Sequence, residues 1–305
     1  MALLYWLENI RIPLLTEFML LITHFGEETA FLTAAIIVYW CFSKKRGYYL
    51  MAVGFVGTLA NQFLKMLFRI PRPWILDSNF TAVEAAKAEA TGFSFPSGHT
   101  QNSVGTFGAL AYTAKHRWSR IACILIAVLV PFSRMYLGVH TPQDVLVSVV
   151  IALALIFVVH PVIFDCGNSM KRMLALICIM IALCAGYLCF IHFYSFPADV
   201  DQERLQSGIK NGYTLAGSLI GMLVVYVVDT KWLKFPVSAK WWVQIIKAAV
   251  GLGLVLALKE GLRAPLNTLF DENIGRAIRY FLVVLVAGIG WPVTFKWFSK
   301  IGNRE

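Results

Sequence analysis

The chain has 305 residues, of which 58% are hydrophobic and 14% are charged, and its formal net charge is +10. A soluble domain carries about 25% charged residues, so the composition excludes a soluble globular protein and indicates a surface that faces lipid. The basic residues lie in short clusters between apolar segments, which is typical of membrane topology. We therefore expect the lipid bilayer as a partner and no nucleic acid.

Nine segments are apolar enough to span a membrane as helices, which requires roughly 20 mainly apolar residues. The predicted spans are residues 27–43, 48–68, 99–114, 119–138, 143–164, 172–193, 211–229, 241–258 and 277–298. Residues 3–25 are also apolar, but Glu8, Arg11 and Pro13 interrupt them, so we predict an N-terminal interfacial helix there. The predicted fold class is all-α, a polytopic membrane helical bundle of about nine transmembrane helices.

No internal repeat or linker divides the chain, which we interpret as one membrane domain with two parts. Residues 1–165 form its motif-bearing core, and residues 166–305 form a C-terminal transmembrane extension. The six cysteines lie mostly in apolar segments and lack the spacing of metal ligands. We expect them to be small buried hydrophobic residues, and we expect no metal site.

The charged loops predict the orientation of the bundle. With nine spans, one side of the membrane receives the basic residues Lys44, Lys45, Arg46, Lys115, Arg117, Arg120, Lys171, Arg172, Lys231, Lys234, Lys240, Lys296, Lys300 and Arg304. The acidic residues on that side are only Asp165, Asp229 and Glu305. Because cytoplasmic loops are rich in Lys and Arg, this side and the C-terminus are predicted to be cytoplasmic. The motifs described below then face outward from the plasma (or inner) membrane.

Lys65 and Arg72 lie near the end of the second predicted span, and Pro73 follows them. They are two helical turns apart, so on a continuing helix both side chains project from one face, about 10 Å apart along the axis. An ammonium and a guanidinium directed at one point suit the negative charge of a phosphate. The alternative is that both cations reach from a helix end to the membrane surface.

The sequence Pro-Ser-Gly-His at residues 96–99 opens the third predicted span. Ser97 is placed as the helix N-cap, and Gly98 allows a ligand to approach the backbone closely. The free amides and the positive end of the helix dipole form a natural anion site. A helix cap explains the serine but not His99, which is placed to protonate a leaving oxygen.

The third block begins with Arg134 at the end of the fourth span and continues to His140 and Asp144. Pro142 fits the first position of the next helix and Thr141 its N-cap, which makes Asp144 a capping-box acid. Alternatively, Asp144 holds one ring nitrogen of His140 and leaves the other free to attack, as in covalent catalysis. Both arrangements are compatible, and Arg134 supplies a third cation.

Together the three blocks resemble the signature of the type-2 phosphatidic acid phosphatase superfamily, which also includes bacterial acid phosphatases and vanadium haloperoxidases. The matching residues are Lys65, Arg72, Pro73, Pro96, Ser97, Gly98, His99, Ser133, Arg134, His140 and Asp144. The resemblance is confined to the part of the chain from residue 65 to residue 144. It predicts a phosphate-transferring site inside the membrane bundle.

The resemblance implies a role for each matching residue. His140 attacks phosphorus to form a phosphohistidine, Asp144 fixes the tautomer of His140, and His99 protonates the leaving oxygen. The phosphate oxygens are held by Lys65, Arg72, Ser97, Gly98 and Arg134. This electrostatic clamp replaces the Mg²⁺ of many phosphoryl-transfer enzymes, so no cofactor is expected.

We expect a membrane phosphatase that hydrolyses a lipid phosphate or diphosphate, with undecaprenyl or another isoprenoid diphosphate favoured. The alternatives within this chemistry are phosphatidate, phosphatidylglycerophosphate, a sphingoid phosphate or a soluble phosphate ester. A vanadate site that oxidises halide is less favoured, because membrane insertion adds nothing to that reaction. A phospholipid transporter or flippase that only binds its ligand is the alternative of another class. The oligomeric state stays open, and a homodimer is compatible with the sequence.

Three further residues are candidates for substrate recognition, namely Trp74, Arg276 and Arg279. Trp74 begins the loop 74–95, whose alanine-rich stretch predicts a short surface helix, and the alternative for this loop is a solvated cover. Arg276 and Arg279 are three residues apart, hence on one side of a helix, and belong to a charged cluster on the motif-bearing side. For this cluster an internal salt-bridge network is the favoured interpretation.

Overall fold

The computed structural model describes residues 1–165 and 170–301, and all regular secondary structure in these residues is helical. The α-helices are α1 Ala2–Asn9, α2 Pro13–Thr23, α3 Glu28–Cys41, α4 Lys44–Phe68, α5 Pro73–Leu76, α6 Glu84–Ala88, α7 Gly98–Ser103, α8 Ala109–Thr113, α9 Arg117–Tyr136, α10 Pro142–Phe164, α11 Met170–Phe193, α12 Gln202–Val228, α13 Trp241–Gly261, α14 Arg263–Leu269, α15 Glu272–Leu285 and α16 Phe295–Phe298. The predicted all-α fold class is confirmed, as is the short helix in the alanine-rich loop.

Seven segments of the described chain are long and apolar enough to cross a membrane, and a bent helix pair raises the number to eight. The seven are Lys44–Leu76, Arg117–Tyr136, Pro142–Phe164, Met170–Phe193, Gln202–Leu233, Trp241–Leu269 and Glu272–Phe298. The bent pair joins Pro13–Gly26 to Glu28–Cys41 at an angle of 54°. These segments include eight of the nine predicted spans, so the polytopic helical bundle is confirmed.

The remaining predicted span, residues 99–114, is helical but shorter than the seven segments above. It consists of α7, the π-helical turn Val104–Gly108 and α8. At 1.5 Å per residue these segments rise about 24 Å, a few ångströms short of the roughly 30 Å hydrocarbon core, and local thinning of the bilayer accommodates such a difference. Its polar side chains Gln101, Ser103 and Thr106 are buried in the protein, so the helix is packed among other helices.

The N-terminal apolar segment forms two helices, α1 and α2, instead of one. The break falls just before Pro13, which occupies the first turn of α2, where a missing N–H costs little. On α1, Leu4 and Leu7 are buried while Leu3 and Trp6 are exposed. A helix with one apolar side packed against the protein and another apolar side exposed is suited to a membrane interface.

The described chain forms two compact units that alternate along the sequence. The first contains Met1–Leu32, Tyr49–Pro161 and Ser195–Gly208. The second contains Thr33–Tyr48, Val162–Tyr194 and the described residues from Ile209 onward. All three motif blocks belong to the first unit. The predicted boundary after residue 165 adjoins residues 166–169, and these and the predicted cytoplasmic C-terminus at 302–305 lie outside the described residues.

A buried lysine holds the second unit together. Lys247 of α13 donates hydrogen bonds to the carbonyls of Trp40 (3.0 Å) and Val237 (3.2 Å), and its ammonium lies 4.1 Å from the centre of the Phe295 ring. The indole of Trp40 in turn donates to the carbonyl of Ala287 at 2.8 Å. Because a buried cation must find partners, these contacts fix α3 against the C-terminal helices.

Candidate active site

Lys65 and Arg72 reach the same place by different routes. Helix α4 ends at Phe68, before Arg72, and Arg69 then adopts a left-handed conformation with φ of 50°. Arg72 therefore does not continue the helix of Lys65, as the seven-residue spacing suggested, but is the N-terminal flanking residue of α5. The proline after Arg72 fits the first helical position and starts the new helix.

The two cations converge because both bind the backbone of residues 91–93. Lys65 Nζ donates to the carbonyl of Phe93. Arg72 donates to the carbonyls of Gly92 (3.3 Å, from Nε) and Thr91 (3.0 Å, from Nη2). Both cations are buried, with exposed fractions of 6% and 3%. Carbonyl oxygens carry only partial charge, so this pair of cations still favours an anion.

Arg72 also determines the tautomer of His140. Its Nη1 lies 2.9 Å from His140 Nε2, and a guanidinium can only donate, so Nε2 accepts. The ring proton is then on Nδ1, which lies 3.3 Å from Asp144 Oδ2. His140 and Asp144 are each 1% exposed. The geometry leaves the lone pair of Nε2 directed toward the cations, as a nucleophile requires.

One oxygen of Asp144 satisfies both of the predicted arrangements. Oδ2 accepts hydrogen bonds from the Thr141 amide (2.8 Å) and from Ser94 Oγ (2.6 Å), in addition to the contact with His140. The Asp144 amide donates to Thr141 Oγ1 at 3.3 Å, which completes the predicted capping box. Ser94 belongs to no sequence motif and lies fifty residues from Asp144, so only the structure identifies it as a ligand of the carboxylate.

The surroundings of His140 keep its imidazole neutral. Burial is the main cause, followed by the positive charges of Arg72, Arg134 and Lys65, and together they hold the pKa of His140 well below its usual range. A backbone hydrogen bond to Ser94 opposes this shift. The neutral form is the one whose Nε2 can attack an electrophile.

The second motif block is fixed to the third by its backbone. Ser97 is the N-cap of α7, as predicted, with its Oγ accepting from the Thr100 amide at 3.4 Å. The Ser97 amide donates to the carbonyl of Asp144 at 3.1 Å, and Ser148 Oγ donates to the carbonyls of both residues at 2.9 Å. Next to the cap, Gly98 leaves open space, since a Cβ there would meet only Asn61 Oδ1 at 3.9 Å.

His99 and Arg134 carry unused hydrogen-bonding atoms into the interior. His99 Nε2 is buried and has no hydrogen-bond partner among the described residues. Arg134 is fully buried and donates from Nη1 to Thr23 Oγ1 at 2.7 Å, while its Nε and Nη2 lack a partner in the same part of the chain. Buried polar groups are normally satisfied, so these atoms indicate a place for a polar ligand.

Helices α1 and α2 and the loop after Trp74 form a cover next to these residues. Arg11 anchors it by donating to the carbonyls of Tyr136 (3.0 Å) and Thr81 (2.6 Å). Tyr5 donates to Asp77 Oδ2 at 2.8 Å. The hydrophobic side chains of the cover pack in a cluster consisting of Leu4, Leu7, Met19, Phe80, Ala82, Ala86, Ala90, Tyr136, Leu137 and Val139. The N-terminal segment is thus part of the motif-bearing unit.

The three candidate recognition residues fall in different places. Trp74 is half-buried against the hydrophobic cluster, with Lys87 Nζ 5.8 Å from its ring centre, so it belongs to the cover. Arg276 and Arg279 lie on α15 in the second unit. The charged cluster around these two arginines contains the ion pairs Lys259–Glu260 at 3.7 Å and Lys210–Glu272 at 2.8 Å. Neither pair includes the two arginines.

The site is therefore a cluster of buried polar side chains in a membrane helical bundle, with three cations, two histidines and one carboxylate. Residues 1–165 and 170–301 contain no cluster of three or more His, Cys, Asp or Glu side chains that could hold a metal ion. A neutral imidazole surrounded by guanidinium and ammonium groups is suited to attack on a phosphate. These features define the class of protein as a membrane phosphatase.

Comparison with protein families agrees with this class. The PAP2 superfamily model matches residues 43–168, and the model for the transmembrane extension of PAP2 superfamily phosphatases matches residues 213–304. The chain belongs to the PAP2 superfamily. It is a membrane lipid phosphatase, a hydrolase that acts on phosphate esters.

Curated relatives include a phosphatidylglycerophosphatase B of Bacillus subtilis, which is 35% identical in an alignment of length 163 that covers 49% of this chain and 76% of the relative. An undecaprenyl-diphosphatase of the same organism is 29% identical over 40% of this chain and 62% of its own length. A probable sphingosine-1-phosphate phosphatase of Dictyostelium discoideum is 31% identical over 42% of this chain and 34% of the relative. No solved structure matches the chain.

Proposed function

We propose that this phosphatase hydrolyses a lipid diphosphate, with undecaprenyl or another isoprenoid diphosphate as the favoured substrate, through a phosphohistidine on His140. The observation that carries the proposal is the pair of contacts made by the His140 ring. Arg72 keeps Nε2 in its accepting form, while Nδ1 faces Asp144. A nucleophile held in one tautomer by an orienting carboxylate is the arrangement that covalent catalysis requires.

In the first step, His140 Nε2 attacks the terminal phosphorus, and the bond from phosphorus to the bridging oxygen breaks. The electron pair of that bond leaves with the lipid phosphate, and His99 donates a proton to it where the leaving group needs one. Asp144 stabilises the positive charge that develops on the ring, because its Oδ2 faces Nδ1–H. The products of this step are a lipid monophosphate and a phosphorylated His140.

The charge on the transferred phosphate is balanced by the motif cations. Arg72 must exchange its contact with His140 Nε2 for a phosphate oxygen. Nε and Nη2 of Arg134, which have no partner in the described chain, donate to a second oxygen. Lys65 and the amides at the start of α7, next to Ser97 and Gly98, complete the clamp. Donors held in a buried, preorganised site stabilise a phosphoryl-transfer transition state strongly.

In the second step, a water molecule attacks the phosphohistidine, with His99 accepting its proton. The bond from phosphorus to Nε2 breaks, inorganic phosphate leaves, and His140 returns to its neutral form. Two roles for His99, acid and then base, follow from microscopic reversibility. The deep placement of Nε2 of His99 among the motif residues supports this assignment.

Phosphatidylglycerophosphate is the second candidate substrate, since the relative that shares 76% of its length with this chain is a phosphatidylglycerophosphatase. An undecaprenyl-diphosphatase is also among the relatives. Both named substrates are lipids that carry two phosphate groups. The buried cations and the apolar exterior support such a ligand, with the phosphate in the site and the chain in the bilayer.

We expect the detergent-purified protein to release phosphate from undecaprenyl diphosphate faster than from phosphatidylglycerophosphate, phosphatidate, sphingosine phosphate or glucose 6-phosphate. Activity should persist in EDTA, because the proposed clamp consists of protein cations. The measurement is the initial rate of phosphate release with and without EDTA. If another ester is hydrolysed faster, that ester replaces undecaprenyl diphosphate as the proposed substrate. A loss of activity in EDTA that Mg²⁺ restores would contradict the metal-free clamp.

We further propose that the site opens on the extracytoplasmic side of the plasma membrane. The exposed loop containing Glu89 should lie outside the cytoplasm, and the start of α9 at Arg117 inside it. A periplasmic-type alkaline phosphatase reporter fused after Glu89 should be active, and one fused after Arg117 inactive, with the reverse for a fluorescent reporter that folds only in the cytoplasm. If the alkaline phosphatase reporter is inactive after Glu89 and active after Arg117, the proposed orientation is wrong.

A further inference from the structure

The segment Ser195–Gly208 connects helices that belong mainly to the second unit, but it packs with the first. It includes the end of a loop and the first turns of α12, and Asp201 is the residue that precedes this helix. The Arg69 guanidinium lies 5.9 Å from the centre of the Phe196 ring. This contact places the segment next to the turn that leads to Arg72. A part of the chain far from the three motifs therefore joins the motif-bearing unit.

This segment brings another cation, Arg204, to the phosphate clamp. The Arg204 guanidinium lies 5.8 Å from the centre of the Phe93 ring, and the carbonyl of Phe93 is the acceptor of the Lys65 ammonium. The charge of Arg204 acts electrostatically on both Lys65 and Arg72. Its side chain is 19% exposed, whereas the motif cations are almost completely buried. Arg204 thus lies farther out than the clamp, on the solvent side.

The charges of the site explain why a further cation is useful. Lys65, Arg72 and Arg134 face one buried carboxylate in the motif-bearing unit, Asp144, which leaves enough positive charge for one phosphate dianion. A substrate with a second phosphate brings more negative charge than these residues balance. Arg204 pairs with Asp201 at 3.0 Å, but the Asp201 side chain is 43% exposed, and exposed ion pairs are weak. A phosphate can therefore compete for the guanidinium.

We propose that Arg204 binds the second, non-reacting phosphate of the substrate and so selects lipids that carry two phosphate groups. This inference rests on the proposed phosphatase function and adds a residue outside the three motifs. The terminal phosphate occupies the buried clamp, and the phosphate on the lipid side contacts Arg204 at the entrance. A guanidinium fits this task because it can donate two parallel hydrogen bonds to one phosphate.

The test compares substrates with one and two phosphates in the full-length protein. Arg204→Gln should lower kcat/KM for undecaprenyl diphosphate and for phosphatidylglycerophosphate by roughly ten- to hundredfold, the usual worth of a charge-assisted hydrogen bond. It should change kcat/KM for phosphatidate by less than about threefold, and this retained activity also shows that the variant is folded. Arg204→Lys should recover part of the loss, since it restores the charge without the paired donors.

Lys240→Gln, which removes an exposed cation at the start of α13 in the second unit, is the control for loss of positive charge and should affect neither class of substrate. An equal loss on phosphatidate and on both two-phosphate lipids, or no loss on any, would overturn the role of Arg204. In either case the wild-type protein still releases phosphate. Failure of the proposed function itself is recognised separately, since the wild-type protein would then release phosphate from none of these lipids.

Discussion

Replacing His140 by glutamine is expected to reduce phosphate release by at least about 10³-fold, because the variant lacks the nitrogen that we propose as the nucleophile. Glutamine keeps a polar side chain near Arg72 and Asp144, so the pocket should still bind lipid phosphate. Brief incubation of the wild-type protein with ³²P-labelled undecaprenyl diphosphate should yield a phosphoprotein that is stable in alkali and labile in acid, the behaviour of phosphohistidine. His140→Gln should incorporate no label.

His192→Gln is a matched control for the loss of an imidazole. His192 is exposed at the end of α11, where it contacts the Tyr213 hydroxyl at 3.0 Å, and it belongs to the second unit. This variant should retain wild-type turnover and phosphorylation. Full turnover of His140→Gln would refute the nucleophile assignment. The transporter alternative would be favoured instead if the wild type hydrolyses no lipid and the His140→Gln variant still transports lipid.

Replacing Arg134 by lysine is expected to lower kcat by roughly 10²- to 10³-fold, although the charge is kept. The guanidinium is fully buried and uses Nη1 to bind Thr23 while Nε and Nη2 remain available. A lysine ammonium has one nitrogen, so it cannot hold Thr23 and present two separate donors to a phosphate at the same time. The loss should appear in kcat more than in KM, because the proposed clamp would bind most strongly in the transition state.

Arg117→Lys is the control for this exchange, since Arg117 is exposed at the start of the same helix, α9. It should leave both kinetic constants unchanged. Near wild-type kcat in Arg134→Lys would show that the position requires only a positive charge. Thermal unfolding of both variants in the same detergent, followed by a tryptophan signal, distinguishes loss of the clamp from loss of the fold.

The third motif block shows what local sequence can predict. Pro142 at the first helical position, Thr141 as N-cap and Asp144 as capping acid are signals within four residues, and all three are present in the structure. The N-cap role of Ser97 was predictable for the same reason. Apolar length predicted eight of the spans, since the thickness of the bilayer imposes it. What these signals share is that each is determined by neighbours along the chain.

The contacts between distant segments were not predictable from such signals. The bond between Ser94 and Asp144 crosses fifty residues, and that between Arg134 and Thr23 crosses 111. Neither Ser94 nor Thr23 has neighbours that distinguish it from other small polar residues. Arg72 shows the same limit, since its seven-residue spacing from Lys65 suggested one helix face, whereas the chain leaves the helix at Phe68.

For this protein the sequence alone determined the helical membrane class, most of the spans and the residues of the three motif blocks, because hydrophobic length and short capping patterns act locally. The tertiary structure decided which atoms meet. It assigned the ring proton of His140 through Arg72, gathered three donors on one oxygen of Asp144 and brought Arg204 next to Phe93. These depend on how helices pack against each other, and the packing is set by the burial of side chains far apart in the chain.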